Sequence, residues 1–580
     1  MLKYLMAISL LLLLGTSDRP VPPTIGFFMD NWQPRTFTTP AFDFVPALAL
    51  PPDRRRPSDL GARPASTLSI DADSVITRIP PSEFGHNVDF WIGTMSTQPT
   101  FLTNVTNLNP HILRWPGGSA SDAYFWNRGP GEWPADVPDF LPDAGGKKIP
   151  THLNYGRPTA KWISSLDDYY ATLKTTGTQG LITVNYGYAR YGTSANPVAA
   201  AAHLAADWVR YDHGRTRYWE IGNENNGFWE NGYRIDTTTN KDGQPKLITG
   251  DLYGHHFCVF ADSMRKAAAE VGATIYIGAV TAEAPPKPWD LPVMRTWNSG
   301  MMKAIRDQAD FYVVHSYFTP YNQNTSPRDI LYYAAAAPGQ IMDYVQQCLR
   351  DNGAAIKPIA MDEWNMFAAG RRQQVSNVSG LFGVIVIGEA LRNRFGLAAR
   401  WDLVNAWAGG NDHGLFSAGD EPGVARFSPR PSFYYLYYFQ KTMGDRLLKA
   451  HVAGDTSIKV YASRFSSGEI GAALVNTDTI ATTVTIDTHH FKPGRYFYWY
   501  TLHGGDDNGD FSGKVFVNEK GPVASSISAA PPIATGSGVS SGSAGGPPDY
   551  ATLKANAAPT SHGIRVTVPA RGAVFLVIAK

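Results

Sequence analysis

From residue 82 onward, short apolar runs of strand length recur along the chain, separated by longer stretches with helical spacing of apolar residues. The runs fall at 84–91, 111–115, 181–185, 218–222, 274–280, 311–315, 358–363 and 401–406. Between them, 197–209 is alanine-rich, 257–271 is amphipathic, and 340–349 and 381–392 continue the helical pattern. Eight strands alternating with helices predict an α/β fold, a (β/α)8 TIM barrel. A doubly wound open sheet is the structural rival. It would carry a Gly-rich phosphate loop after its first strand, and no G-x-G-x-x-G stands there. The Pro-, Gly- and Asp-rich segment 127–159 reads as an extended loop over the end of the second strand.

Beyond an aromatic helical stretch at 431–439 the period changes to two. Segments 458–462, 472–476, 482–487, 495–500, 564–568 and 574–578 alternate like strands without helices between them, which predicts an all-β sandwich. Segment 67–77, ahead of the barrel, is expected to add a strand to it. The chain then divides into residues 1–17, 18–65, a catalytic barrel over 66–445 and a β-sandwich accessory domain over 446–580. Residues 524–548, rich in Ser, Gly, Ala and Pro, form an insertion in the sandwich.

The first residues have a signal-peptide pattern: Lys3, an apolar stretch from Leu5 to Leu14, then Gly15-Thr16-Ser17. Ten apolar residues are too few to span a bilayer, so secretion or periplasmic export is expected rather than a membrane span. Residues 18–65 are Pro-rich and include Arg54-Arg55-Arg56, a solvated charge cluster in a leader or linker. Cys258 and Cys348 allow at most one bridge, so a large core must supply stability. A formal net charge of +1 offers no electrostatic footprint for nucleic acid. The 15 Trp, 28 Tyr and 28 Phe favour a carbohydrate partner, because sugar rings stack on aromatic faces, although such residues also fill ordinary cores. Nothing in the sequence speaks to oligomeric state.

Two strings carry the chemistry. Trp219-Glu220-Ile221-Gly222-Asn223-Glu224 and Ile359-Ala360-Met361-Asp362-Glu363-Trp364-Asn365 are apolar runs that end in carboxylates. An unpaired charge resists burial, so a glutamate at the end of a buried strand needs a reason. In the barrel count Glu224 lies just past strand four and Glu363 at the end of strand seven. Active sites of this fold sit at the C-terminal ends of the strands, so both would face one pocket. Paired carboxylates across a pocket suit glycoside hydrolysis, one protonating the leaving oxygen and the other attacking from the opposite face. The alternatives are buried salt bridges, or Glu220 or Glu230 in place of Glu224, though neither follows an Asn.

These motifs resemble the clan A retaining glycoside hydrolases. Leu113-Arg114-Trp115-Pro116-Gly117-Gly118, Gly222-Asn223-Glu224 and Asp362-Glu363-Trp364-Asn365 are most similar to the α-L-arabinofuranosidases of glycoside hydrolase family 51, whose barrel-plus-sandwich layout also matches. The resemblance implies Glu224 as general acid/base, Glu363 as nucleophile, Asn223 bonded to a sugar hydroxyl and Arg114 holding the nucleophile's carboxylate. One departure stands out. The family's Gly-x-x-x-Glu-His becomes Gly85-His86-Asn87-Val88-Asp89-Phe90, with a shorter Asp89 and no His after it. Asn87, Asp89, Trp126, Tyr186, His315, Tyr317, Trp364 and Trp407, with His413 nearby, lie near strand ends and are candidates for lining the sugar subsites. For the aromatics, packing is an equal alternative, and His315 either orients the nucleophile or bonds structurally.

The expected function is that of a secreted retaining glycosidase acting on oligo- or polysaccharide, an α-L-arabinofuranosidase first. A clan A β-glycosidase (xylosidase, glucuronidase or agarase-like) is the rival within enzymes, and a non-catalytic carbohydrate-binding barrel the rival outside them. Repulsion between the pair is expected to raise the pKa of Glu224, with Arg114 keeping Glu363 ionised. No cofactor or metal is implied: His255 and His256 are adjacent, and no H-E-x-x-H or C-x-x-C occurs. Gly538-Val539-Ser540-Ser541-Gly542 matches a nucleophile elbow only by composition, lacking the strand and helix that motif needs.

Overall fold

The computed structural model describes residues 34–37, 66–505, 511–524 and 547–580. The expected signal peptide, most of the Pro-rich leader and most of the insertion, including Gly538–Gly542, lie outside the described residues. Four leader residues are described. They are irregular and lie against the sandwich, where the Phe37 ring meets Phe465 edge-on at 5.6 Å.

Eight parallel strands close a barrel: Gly85–Asn87, Ile112–Trp115, Gln179–Val184, Thr216–Ile221, Tyr276–Val280, Phe311–Tyr317, Ile359–Asn365 and Leu397–Arg400. Seven overlap the predicted runs. The eighth lies four residues earlier than expected, because barrel closure here is a matter of small residues rather than apolar bulk. Ala399 pairs with Gly85, and a Cβ at Gly85 would press on the Ala398 carbonyl and the Ala399 methyl. The apolar stretch 401–406 instead leaves the barrel, with Val404–Asn405 pairing to Phe416–Ser417. Three helices without a clear sequence signal, Pro99–Leu108, Leu166–Thr176 and Pro292–Ile305, fill out the outer ring. Side-chain caps start several of the others: Asn196 accepts from Ala199 N–H, Thr249 from Leu252 N–H and Ser376 from Ser379 N–H. Within loop 127–159, Phe140–Pro142 pairs with Lys148–Pro150.

The lower part of the barrel interior is a plug of Ile112, Leu181, Tyr218, Phe311, Val313, Ala360, Leu397 and Ala399. One turn of side chains higher, toward the strands' C-terminal ends, the inward positions become Arg114, Thr183, Glu220, His315 and Asp362, all buried. Strand seven carries an irregularity between Met361 and Trp364. Such a bulge breaks the strict in-out alternation. Asp362 and Glu363 consequently both approach Arg114, while Trp364 turns outward onto Phe382.

The C-terminal part is one ten-stranded sheet curled around a second core of Leu68, Ile70, Val460, Leu474, Val484, Val566 and Leu576 among others. The strand Ser66–Arg78 is integral to it. It runs antiparallel to Arg446–Ala453 and parallel to Thr482–His489, so the segment ahead of the barrel completes the sheet behind it. The outer face of the sheet packs on the barrel through Tyr461, Tyr500 and Phe575 and through helices Asn377–Arg392 and Pro431–Thr442. Gly380 and Gly388 admit the rings of Tyr435 and Tyr461, which a Cβ would obstruct. Both cysteines are free thiols. Among the described residues no helix is long and apolar enough to cross a membrane.

Leu68 is wholly buried in the sandwich core. Leu68→Ala is expected to destabilise the protein by about 2–5 kcal/mol, measured by denaturant unfolding. An unchanged unfolding midpoint would mean that the N-terminal strand is peripheral to the sheet.

Candidate active site

Arg114 is the centre of the site, fully buried at the end of strand two. Its Nε and Nη2 donate to Glu220 Oε1 at 2.8 and 2.5 Å, Nη2 also to Asn223 Oδ1 at 2.9 Å, and Nη1 to Asn87 Oδ1 at 2.9 Å and Glu363 Oε2 at 3.0 Å. Asp362 Oδ2 lies 3.7 Å from Nε. Burial alone would depress the guanidinium's pKa, but Glu220, Asp362 and Glu363 outweigh it and hold Arg114 charged. Glu220 is pushed up to about 8 by burial, against the pull of Arg114, with Asp362 adding to the rise. It also accepts from the Thr183 hydroxyl. Glu220 is thus closed to solvent and holds the Arg114 fork in place by accepting from it.

Glu224 and Glu363 face each other across the opening. Tight backbone sets Glu224: Gly222 has φ +79°, a Cβ there would collide with Asn225, and Glu224 itself sits at φ +42°. Asn225 is pinned in turn by donating to Asp122 Oδ2 at 2.7 Å. Glu224 keeps 23 % of its side chain exposed, against 7 % for Glu363. His315 lies between them, Nδ1 being 3.0 Å from Glu224 Oε1 and 3.6 Å from Glu363 Oε2, with Nε2 3.2 Å from Asp362 Oδ1. Oxygens of Glu224 and Glu363 and the imidazole nitrogen all fall within 4.8 Å of one another. The Tyr317 hydroxyl donates to Glu363 Oε1 at 2.9 Å, and the Trp229 indole N–H donates to Glu224 Oε2 at 2.7 Å.

The proton distribution differs from the sequence expectation. Burial favours neutral His315, but Glu363, Asp362 and Glu224 together raise its pKa well above the usual histidine value. Burial would raise Glu224, yet the hydrogen bond and charge of His315, with Trp229 and Arg114, bring it below the usual carboxylate value. Glu363 is raised by burial and by Glu224, against His315 and Arg114. The expected order, Glu224 raised and Glu363 held ionised, is therefore inverted in the substrate-free site. The imidazolium, absent from the sequence argument, is the cause.

The candidate residues divide by surroundings. Arg114, Asn223, His315, Tyr317 and both glutamates converge. Asn223 accepts from Arg114 and donates to Glu230 Oε1 at 3.0 Å. Asn87, expected to line a subsite, spends both amide hydrogens on the Asp362 and Ala399 carbonyls, so it positions Arg114 instead. Asp89 is fully buried. Burial, then the neighbouring Asp402 and Glu363, raise its pKa well above the usual value, and burial raises Asp402 itself to about 6. Gly117, at φ +104°, is required beneath this pair, since a Cβ would collide with Asp89 Oδ1. Three aromatics expected at subsites lie elsewhere. Trp126 stacks on Trp208 and donates to the Leu204 carbonyl, Tyr186 is buried against Tyr253 and His256, and Trp364 faces Phe382. Trp407 is half-buried in the loop after strand eight, with Arg371 and Arg430 over its ring at 5.3 and 5.9 Å. His413 is buried near Tyr317, and burial lowers its pKa to about 3.

Sequence reasoning missed Trp229, Phe367, Trp401 and Asp402. Phe367 stacks on Tyr317 at 4.2 Å, and Trp401 meets Trp91 at 5.9 Å beside Gly118. Arg400-Trp401-Asp402 repeats the signal of the other two strings, an apolar strand ending in a carboxylate, but the misplaced eighth strand hid it. The triads Glu220–His315–Asp362 and Glu224–His315–Glu363 have the donor types and spacing of metal sites. Arg114 is the fixed cation among these carboxylates, and the Tyr317 hydroxyl and Trp229 indole each donate to one oxygen of Glu363 and Glu224 respectively.

The class these features define is a (β/α)8 barrel with a packed β-sandwich and two facing glutamates at the ends of strands four and seven. No protein-family model matches the chain. An intracellular exo-α-(1→5)-L-arabinofuranosidase from Acetivibrio thermocellus is 23 % identical over 275 residues, 45 % of this chain and 48 % of that protein, so the chain spans about half the length of this curated relative. Among solved structures, a family 51 α-L-arabinofuranosidase from Bifidobacterium longum aligns over 89 % of this chain and 100 % of its own, at 15 % identity and a TM-score of 0.58. A monomeric β-xylosidase from Caulobacter crescentus aligns over the same shares at 15 % identity and a TM-score of 0.52. The chain is thus similar to the clan A, family 51-like glycoside hydrolases, and the structural likeness is one of fold.

Arg114→Met leaves Glu220, Asp362 and Glu363 buried without their cation, and a loss of about 3–5 kcal/mol is expected at neutral pH. Carboxyls raised in the folded state bind protons that the unfolded chain releases above about pH 4.5. The variant's stability should therefore recover as pH falls from 8 to 5. A pH-independent deficit in chemical denaturation would contradict this electrostatic account.

Proposed function

We propose that the protein is a retaining glycoside hydrolase, with Glu363 as nucleophile and Glu224 as general acid/base. The observation that carries this reading is the approach of the two carboxylates to within 4.8 Å at their nearest oxygens. Retaining pairs stand about 5–5.5 Å apart, whereas inverting pairs stand about 6.5–9.5 Å apart to admit a water. Glu363, deeper and gripped by Arg114 and Tyr317, has its oxygens fixed for attack on an anomeric carbon. Glu224, nearer to solvent, faces the departing oxygen. Arabinofuranoside is the first substrate, supported by the curated relative and by the family 51 resemblance. A β-glycoside such as a xyloside is second, supported by the same fold in the Caulobacter enzyme. Export is proposed from the apolar stretch after Lys3 and would appear as a shortened N-terminus on protein recovered outside the cytoplasm.

The proton economy follows from His315. In the resting site the imidazolium donates to Glu224, so the acid's proton is stored on the His315–Glu224 pair. The proton passes from His315 Nδ1 to Glu224 Oε1, and the protonated carboxyl, once turned to present that same oxygen, gives it to an entering glycosidic oxygen. The alkaline limb of activity then reports the pair, above the ordinary histidine value. The acid limb reports Glu363, above the ordinary carboxylate value.

Glu224→Ala is expected to cost about 10²–10⁴-fold in kcat on natural glycosides and less on aryl glycosides with acidic phenols, which leave without a proton. Glu363→Ala should cost at least as much on both. Azide should rescue the two variants to products of opposite anomeric configuration, read by NMR. Near-normal turnover in either variant would remove the assignment.

His315→Gln keeps a hydrogen-bond donor beside Glu224 but removes the titrating group. The alkaline limb should then fall to lower pH, where Glu224 alone releases its proton, and the bell should narrow. An unmoved limb would show that Glu224 holds the proton unaided.

A further inference from the structure

Glu224 stands at φ +42°, in the left-handed region that a residue with a side chain avoids unless its surroundings impose it. Its two chain neighbours show what imposes it. Asn223 N–H donates to Asp122 Oδ2 at 3.3 Å, and Asn225 Nδ2 donates to the same oxygen at 2.7 Å. One carboxylate oxygen therefore grips the chain immediately before and immediately after Glu224. The other, Oδ1, accepts from Gly187 N–H at 3.0 Å.

Asp122 is itself firmly placed. It lies in the turn Gly118–Ala123 that follows strand two and is wholly buried. Its backbone carbonyl accepts from the Tyr191 hydroxyl at 3.1 Å, and Gly187 packs so closely on that carbonyl that a Cβ would collide with it. Gly187 and Tyr191 begin and end the short helix after strand three. The chain segments leaving strands two, three and four thus meet at one carboxylate. Burial pushes the Asp122 pKa up to about 7, against the hydrogen bonds of Gly187, Asn223, Asn225 and Tyr186. A carboxylate in such a place is tolerable only because donors surround it. Being wholly buried, it does not touch an entering sugar, and any effect it has on the reaction passes through its partners.

We propose that Asp122 is a positioning residue for the general acid/base, holding the turn from Asn223 to Asn225 so that Glu224 points at the leaving oxygen. The proposal rests on the reading of Glu224 as acid/base. A general acid works only within hydrogen-bond reach of the departing atom, and a displacement of about 1 Å costs on the order of 10²-fold. Loss of Asp122 therefore weakens the steps in which Glu224 gives or takes a proton. Attack by Glu363 is set separately, by Arg114 and Tyr317.

The test is the leaving-group dependence of kcat/KM in Asp122→Ala and Asp122→Asn against the unmodified protein. The probes are phenyl, 4-nitrophenyl and 2,4-dinitrophenyl α-L-arabinofuranosides, or the matching β-xylosides if those are the ones hydrolysed. Assays are made above the Asp122 value of about 7, where its carboxylate is ionised. Asp122→Ala should lower kcat/KM by about 10–100-fold on the phenyl glycoside, which needs the acid, and by about threefold or less on the dinitrophenyl glycoside, which leaves without a proton. Asp122→Asn keeps one acceptor where two are used, so its loss should follow the same order and be smaller. The second step still needs Glu224 as base, so kcat of Asp122→Ala on the dinitrophenyl glycoside should fall and recover with azide. If Asp122→Ala does not fold, Asp122→Asn and Asn225→Ala decide by the same pattern. A loss equal across all leaving groups, or none on the phenyl glycoside, would overturn the proposal while leaving the glycosidase reading intact. If Glu224→Ala itself loses equally on every leaving group, or the unmodified protein hydrolyses no glycoside, the acid/base reading fails instead.

Discussion

Everything at the top of the barrel depends on one guanidinium among buried carboxylates. Glu220, Asp362 and Glu363 surround Arg114, and all four are buried. A single removed partner there costs far more than a surface ion pair gains. Arg114 meets the demand because its donors form a planar fan. Nε and Nη2 share Glu220, Nη2 reaches Asn223, and Nη1 reaches Asn87 and Glu363. Strands one, four and seven are thereby pinned to one side chain of strand two, and a lysine, a compact charge with three donors, could not hold them in that geometry.

Arg114 does not neutralise the site by itself, and the remainder is settled by protons. His315 becomes an imidazolium because three carboxylates face it. Asp89 is pushed well above the usual carboxylate value by burial and by the neighbouring Asp402, because two ionised carboxyls resist sitting together in a buried place. Glu230, buried by Ser119 and Asn223, is raised by burial and by Asp122 and Glu224. A site so rich in acids and so poor in cations is poised to exchange protons with whatever enters. That is the physical condition for acid–base chemistry on a sugar.

The strand count, the barrel and the sandwich were legible because apolar runs and period-two alternation are dense signals, and Glu224 and Glu363 because each ends such a run. The closing strand was not, since Gly85, Ala398 and Ala399 make a seam from smallness rather than hydrophobicity. Aromatic residues near strand ends were poor guides: Trp126 and Tyr186 lie past the ends of strands two and three, where strand parity gives no direction, and the bulge in strand seven resets the parity for Trp364. The inverted proton order escaped for another reason. It requires knowing that His315 Nδ1 lies against Glu224, a contact between strand six and the loop after strand four that no local pattern encodes.

The sandwich has a share in this geometry that its position in the sequence conceals. The helix Asn377–Arg392, which follows strand seven, is buried from its first residue to Leu391 because one side faces the barrel and the other the ten-stranded sheet. Tyr461, from the sheet, donates to Glu389 at 2.9 Å on that helix, and Gly388 admits its ring. The N-terminal turn of the helix joins the sheet side as well, with Asn377 N–H donating to the Ser512 carbonyl at 2.8 Å. Strand seven is therefore clamped at its C-terminal end by Gln373 and Gln374 and then by a helix that the sheet holds in place. Glu363 thus stands on a barrel strand whose exit is fixed from both sides, by the barrel and by the sheet packed against the helix that follows it.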